Sequence, residues 1–122
     1  MLAELGARVV TLERIPALAE RARAIIETLG YGHQVTVELG DGTLGWPRGA
    51  PYGAILITAA APQIPRPLVE QLAPHGRLLL PIGDEDVQTL VRIHREDGEL
   101  IEDYLGECRF VKLFGSYGWE DS

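Results

Sequence analysis

Two acidic positions and one run of small residues are where this chain could do chemistry. Glu13 ends the β-rich segment Arg8-Val9-Val10-Thr11-Leu12. An acid at the end of the second strand of a nucleotide-binding sheet accepts hydrogen bonds from ribose hydroxyls. The plainer alternative is a surface acid that opens a helix, where the helix dipole favours negative charge. Gly40-Asp41-Gly42 is the second position. Glycines on both sides of an aspartate let backbone approach a flat ligand while the carboxylate accepts from an exocyclic amine. A tight turn uses the same residues for its own reasons. The third is Thr58-Ala59-Ala60-Ala61-Pro62, which follows the apolar run Ala54-Ile55-Leu56-Ile57. Open α/β sheets hold ligands at the carboxyl ends of their strands, so this run is a candidate site wall.

Other chemistries find little support. His33, His75 and His94 fall in a loop, a turn and a hairpin strand, with no ligand spacing among them, so no metal site is expected. Serine occurs only at Ser116 and Ser122, and no Ser-His-Asp arrangement suggests itself, which disfavours nucleophilic catalysis. The net charge of −7 disfavours nucleic acid as a partner. No apolar run is long enough for a membrane span, and the first residues lack the pattern of a signal peptide. Cys108 is the single cysteine, so no internal disulfide is possible and a cytoplasmic setting is expected.

The elements that must position these residues read in order. A strand ends at Glu13. A helix follows, with Pro16 in its first turn, an apolar face of Ile15, Leu18, Ala19, Ala22, Ile25, Ile26 and Leu29, and Gly30 at its cap. Residues 34–39 alternate as a half-buried strand, and Gly40-Asp41-Gly42 stops it. Residues 43–51 form a loop able to carry one helical turn near Thr43-Leu44. Residues 54–57, apolar throughout, read as a strand buried under helices on both faces. Pro65 starts a short helix with Leu68, Val69 and Leu72 inward. Pro74-His75-Gly76 ends it, and residues 77–82 form another apolar strand, in which Pro81 fits only where no ladder donor is needed. Residues 87–95 and 100–105 form a hairpin through Asp97-Gly98. Residues 109–114 read as one more strand. At 122 residues the chain is expected to be one domain at most. The β-α-β-loop-β-α-β alternation is that of a parallel, doubly wound sheet.

With these residues laid out, the chain resembles the protein-L-isoaspartate O-methyltransferase family. The match runs through Leu12-Glu13-Arg14-Ile15, Gly40-Asp41-Gly42-Thr43-Leu44-Gly45, Ala50-Pro51-Tyr52, Ile57-Thr58-Ala59-Ala60-Ala61-Pro62, Leu72-Ala73-Pro74-His75-Gly76-Arg77-Leu78-Leu79-Leu80-Pro81-Ile82-Gly83 and Arg109-Phe110-Val111. His75 departs from the glycine usual there, which alters a turn. The resemblance implies a doubly wound, mostly parallel α/β sheet of the S-adenosylmethionine-dependent methyltransferase type, with an antiparallel C-terminal edge. It implies methyl transfer from S-adenosylmethionine to the free carboxylate of L-isoaspartyl, and also D-aspartyl, residues in damaged proteins, which are the implied partners. It also makes Glu13 the ribose-binding acid, and Gly40, Asp41 and Gly42 the adenine-binding segment. Thr58, Ala59, Ala60, Ala61 and Pro62 become the wall of the substrate pocket.

The same resemblance implies that the family's first strand, its Gly-rich loop and its active-site serine lie upstream of these residues. No catalytic residue is therefore assigned within the chain. The chain is expected to be a partial methyltransferase domain that opens inside the helix after that loop, binds S-adenosylmethionine weakly or not at all by itself, and is inactive alone. The lost strand would lie between the Val9 and Ile55 strands and leave two apolar edges. The competing reading is a non-catalytic α/β interaction module. A nicotinamide-dependent oxidoreductase would share the strand-end acid but leaves the Gly-Asp-Gly and Thr-Ala-Ala-Ala-Pro pair unexplained.

Overall fold

The computed structural model describes Leu2 and residues 6–120. The expected helix at the very start involves Met1 and residues 3–5, outside the described residues. The chain is mixed α/β and divides into two compact units, residues 1–42 and 43–122.

In the first unit, β1 (Val9–Glu13) and β2 (Val35–Leu39) pair in parallel, joined by helix α1 (Pro16–Thr28). Pro16 occupies the first helical turn, where a missing N–H costs nothing. The helix closes as its sequence predicts. The Gly30 N–H donates to the Glu27 carbonyl and the Tyr31 N–H to the Ile26 carbonyl, both at 3.0 Å, which satisfies two otherwise orphaned carbonyls. The expected apolar face is only partly used. Ala19 is buried and Ala22 and Ile26 are half-buried, while Ile15, Leu18, Ile25 and Leu29 are exposed. A pair of five-residue strands is too narrow to cover so wide a stripe.

The second unit holds a four-stranded sheet in the order β3-β4-β5-β6: β3 (Tyr52–Leu56), β4 (Leu72–Gly83), β5 (Gln88–Glu96) and β6 (Glu99–Cys108). β3 pairs with β4 in parallel, and β4–β5 and β5–β6 are antiparallel. The antiparallel edge is thus two strands wide. Helix α2 (Arg66–Glu70) connects β3 to β4 and buries Leu68. Leu68, Leu72, Leu78, Leu80, Val91 and Ile93 form the core, with Ile55, Ile57 and Ile82 against it. Alternate residues of the strands point inward, as the period of two demands.

Three local expectations are corrected. β3 is not buried on both faces: Ile55 packs inward, but Ala54 is exposed and Leu56 is 55% exposed, while its place at the edge of its sheet is as expected. An all-apolar run carries no alternation to say which face is covered. Residues 109–114 form no strand, only a bridge from Lys112 to Ala60 and one from Phe114 to Trp119. The buried side chain of Gln88 accounts for this: its Oε1 takes the Phe110 N–H at 2.7 Å, where sheet pairing would otherwise continue past Cys108. The strand after α2 begins at Leu72, ahead of residue 77. Tyr52 pairs with Leu72 and Ala54 with Arg77, so Ala73-Pro74-His75-Gly76 is accommodated as a bulge.

The turns behave as read. Asp97 and Gly98 both have positive φ, 51° and 81°, as a tight right-twisted hairpin requires. His75 has φ 63°, the left-handed conformation that a glycine adopts without strain. The loop after β2 holds two single 3-10 turns, Gly42–Leu44 and Pro47–Gly49.

Candidate functional site

The parallel pairing in the first unit brings Glu13 opposite Leu39, so both strands end together. The Gly40 N–H then donates to the Glu13 carbonyl at 3.1 Å. Glu13 and Gly40-Asp41-Gly42, 27 residues apart at their nearest in the chain, are therefore neighbours at the carboxyl ends of two parallel strands. All four are half-buried. Glu13 Oε1 accepts the Ile15 N–H at 3.1 Å, which turns the chain into α1 and leaves the second carboxylate oxygen for other use.

The glycines have a more specific property. A Cβ placed on Gly40 or on Gly42 would meet no protein atom within 4 Å, and neither residue has positive φ. Neither backbone conformation nor packing within the protein calls for glycine there. Open space beside bare backbone, next to an acid at a strand end, suits a flat ligand with a hydroxylated ring attached.

In the second unit, residues 58–62 leave β3 in a defined way. The Ile57 N–H donates to the Leu79 carbonyl at 2.9 Å, and the Ala61 N–H to the Pro81 carbonyl at 3.0 Å. Two steps along β4 thus correspond to four along the other chain, and Thr58-Ala59-Ala60 bows out of the sheet. Pro81 helps to cause this, since it has no N–H to return to the Ile57 carbonyl, the next bond of a parallel ladder. The condition set on Pro81 by sequence is met by interrupting that ladder. Ala61 then rejoins, accepting the Gly83 N–H at 3.0 Å. Ala60 and Ala61 are buried and hold the segment, Ala59 is half-buried, and Thr58 and Pro62 are exposed.

Side chains outside the three candidate segments hold the surrounding chain. Gln71, 8% exposed, accepts the Trp46 N–H at 2.9 Å and donates to the Leu44 carbonyl at 3.0 Å. It thereby fixes the loop that follows Gly42. The indole N–H of Trp119 donates to the Ala60 carbonyl at 3.1 Å, and the Tyr117 N–H donates to Thr43 Oγ1 at 3.1 Å. Beyond Gly83, Asp84 Oδ1 accepts the N–H groups of Val87 and Asp86 at 2.9 and 2.8 Å. Those bonds, Val87 first, hold its carboxyl below the ordinary 3.8. His94 lies between Asp103 and Glu96, 3.6 Å from each, on the strands of the hairpin. Among the described residues no group of three His, Cys, Asp or Glu could hold a metal ion, and no helix is long and apolar enough to cross a membrane.

Known proteins resemble this chain. A family model described as protein-L-isoaspartate (D-aspartate) O-methyltransferase matches residues 1–118. The chain is 52% identical over 122 residues to the protein-L-isoaspartate O-methyltransferase of Syntrophus aciditrophicus, covering 98% of this chain and 56% of that protein. A solved protein-L-isoaspartate O-methyltransferase superposes with a TM-score of 0.80 at 29% identity, over 89% of this chain and 35% of that one. A putative protein-L-isoaspartate O-methyltransferase from Plasmodium falciparum, solved in complex with S-adenosyl-L-homocysteine, gives 0.77 at 25% identity, over 93% of this chain and 55% of that one. The chain spans about 55% of the length of the curated relatives it matches.

Proposed function

The chain belongs to the protein-L-isoaspartate (D-aspartate) O-methyltransferase family, and on that premise we propose that it forms part of an enzyme transferring a methyl group from S-adenosylmethionine to the free carboxylate of L-isoaspartyl and D-aspartyl residues in damaged proteins, in the cytoplasm. The observation that carries the reading is the pairing of Glu13 with Gly40-Asp41-Gly42 at the ends of two parallel strands, with open space over both glycines. Those residues fit the adenosine half of the cofactor. Glu13 accepts from the ribose hydroxyls, Asp41 accepts from the adenine amine, and the bare backbone at Gly40 and Gly42 lets the ring lie close. When bound, S-adenosylmethionine supplies an electrophilic methyl group.

The protein's own contribution is orientation. The isoaspartyl carboxylate is ionised at neutral pH and is already a nucleophile, so no general base is needed. Thr58, Ala59 and Pro62 present the surface against which that carboxylate is positioned, and Ala60 and Ala61 hold it. Fixing the reacting groups within a near-attack distance is worth several kcal/mol of barrier, about 7 to 11 in well-oriented systems. The 122 residues act as part of a single doubly wound, mostly parallel methyltransferase domain.

The test compares this chain with the same chain joined to the remaining portion of the Syntrophus aciditrophicus relative, each given an isoaspartyl peptide and methyl-labelled donor. The joined protein is expected to form a base-labile methyl ester on the isoaspartyl peptide and none on its aspartyl twin. A folded joined protein that forms no ester refutes the proposal.

A further inference from the structure

The last described residues do not trail away from the site. They return to it, and the contacts converge on one carbonyl. The Ala60 C=O accepts two N–H groups, from the Leu113 backbone at 2.8 Å and from the Trp119 indole at 3.1 Å. The Ala60 N–H donates to Val111 at 2.6 Å. Both polar groups of Ala60 are thus held by residues 111–119, while those of its neighbour Ala61 are held by β4.

Trp119 is itself fixed from several directions. Its N–H donates to the Leu113 carbonyl at 2.8 Å, and its carbonyl accepts the Gly115 N–H at 3.2 Å, which closes the intervening residues into a compact turn. Lys112 Nζ lies 5.5 Å from the ring centroid, and Glu85 holds that ammonium at 2.7 Å. Lys112 bridges in register with Ala60, so the ring and the strand end meet on the same segment. Within this turn the Tyr117 N–H reaches Thr43, which is fully buried and follows Gly42 in the chain.

We propose that Trp119 is a positioning residue for the strand end: its indole N–H locks the Ala60 carbonyl and so sets the course of Thr58-Ala59-Ala60 where it bows out of the sheet. Resting on the methyl-transfer reading, this makes residues 111–119 a strap that governs how an isoaspartyl peptide is seated, separately from cofactor binding. A bowed segment interrupted by Pro81 has no ladder of its own, so its geometry must come from elsewhere. Two donors on one carbonyl, one of them from a bulky anchored side chain, supply it.

Trp119→Phe keeps an aromatic ring over which Lys112 can sit and deletes the N–H donor together with the five-membered part of the indole. In the 122-residue chain, amide hydrogen exchange read by NMR is expected to quicken about tenfold at Ala60 and Leu113, with Leu80 and Val91 in the core within about twofold. In the joined protein described above, the same substitution is expected to raise KM for the isoaspartyl peptide about tenfold while KM for S-adenosylmethionine stays within about twofold, a split that general destabilisation does not produce. Unchanged exchange at Ala60 and Leu113 overturns the strap. Faster exchange with an unchanged peptide KM overturns the positioning role. If the unsubstituted joined protein transfers no methyl group, the methyl-transfer reading falls and the exchange result alone decides the strap.

Discussion

Gln71 and Gly45 lend themselves to a double-mutant cycle whose outcome the structure determines. Gly45 has φ 66°, and a Cβ there would lie 2.8 Å from both the amide carbon and the amide nitrogen of Gln71. That amide is engaged at both ends, by the Trp46 N–H and the Leu44 carbonyl. Gln71→Ala removes two hydrogen bonds, each worth about 1 kcal/mol net, and is expected to cost about 2 kcal/mol. Gly45→Ala adds left-handed strain of about 1 kcal/mol. It also displaces the Gln71 amide, forfeiting the same two bonds, so it is expected to cost about 3 kcal/mol in all. Once residue 71 is alanine, there is no amide left to displace and only the strain remains. The double variant is therefore expected to match Gly45→Ala alone, at about 3 kcal/mol, a coupling of about −2 kcal/mol. Urea unfolding followed by tryptophan fluorescence reads this directly. The chain's two tryptophans, Trp46 and Trp119, both lie in the unit of residues 43–122, so the signal reports the unit that carries the substitutions. Additivity within about 0.5 kcal/mol would show that the Gln71 amide does not clamp the loop.

Three further outcomes are expected. Gly40→Ala should change stability by less than about 0.5 kcal/mol, since an added Cβ meets no protein atom within 4 Å, yet raise the KM of the joined protein for S-adenosylmethionine at least tenfold; an unchanged cofactor KM in a titration of methyl transfer counts against the assigned ligand site. His75→Val should destabilise by about 1 to 2 kcal/mol and His75→Gly should not, because a β-branched residue is strained at φ 63°; equal urea midpoints for the two variants would contradict this. Asp84 has a carboxyl pKa lowered from 3.8 in the folded chain by the Val87 and Asp86 amides, so its contribution is present above that value and lost as pH falls through the lower folded one. Asp84→Asn should therefore flatten the acid limb of a stability–pH profile without changing its slope near neutrality, and an identical acid limb would refute the assignment.

What the sequence made legible was what it encodes locally. Pro16, the three-and-four spacing and Gly30 bound α1 because each acts within one turn of its neighbours. Asp97-Gly98 made the hairpin plain for the same reason, and residues 77–82 stood out as a strand by apolar density alone. Glu13 and Gly40-Asp41-Gly42 were legible as candidates because a strand–helix–strand unit returns its second strand beside its first. The faces of β3 were not, since Ala54, Ile55, Leu56 and Ile57 are apolar on both sides. Nor was the end of β6, where a single glutamine side chain, Gln88, outcompetes the backbone. The frame around the strand end was hidden more deeply. Trp119 meets Ala60 across 59 positions and Tyr117 meets Thr43 across 74, distances over which no periodicity operates.

Pro81 has a consequence beyond the bowed strand end. Sliding β3 by one residue along β4 would turn Ile55 and Ile57 outward, so side-chain burial rejects that error. A slide by two keeps every side chain on its proper face, and burial barely distinguishes it from the native pairing. Moving Ile55 from Leu78 to Leu80 would, however, bring the donorless Pro81 opposite the Ile55 carbonyl, inside the ladder instead of at its end. A carbonyl stranded there costs about 1 to 3 kcal/mol. One imino acid thus proofreads the alignment of two strands against a misalignment that hydrophobicity tolerates.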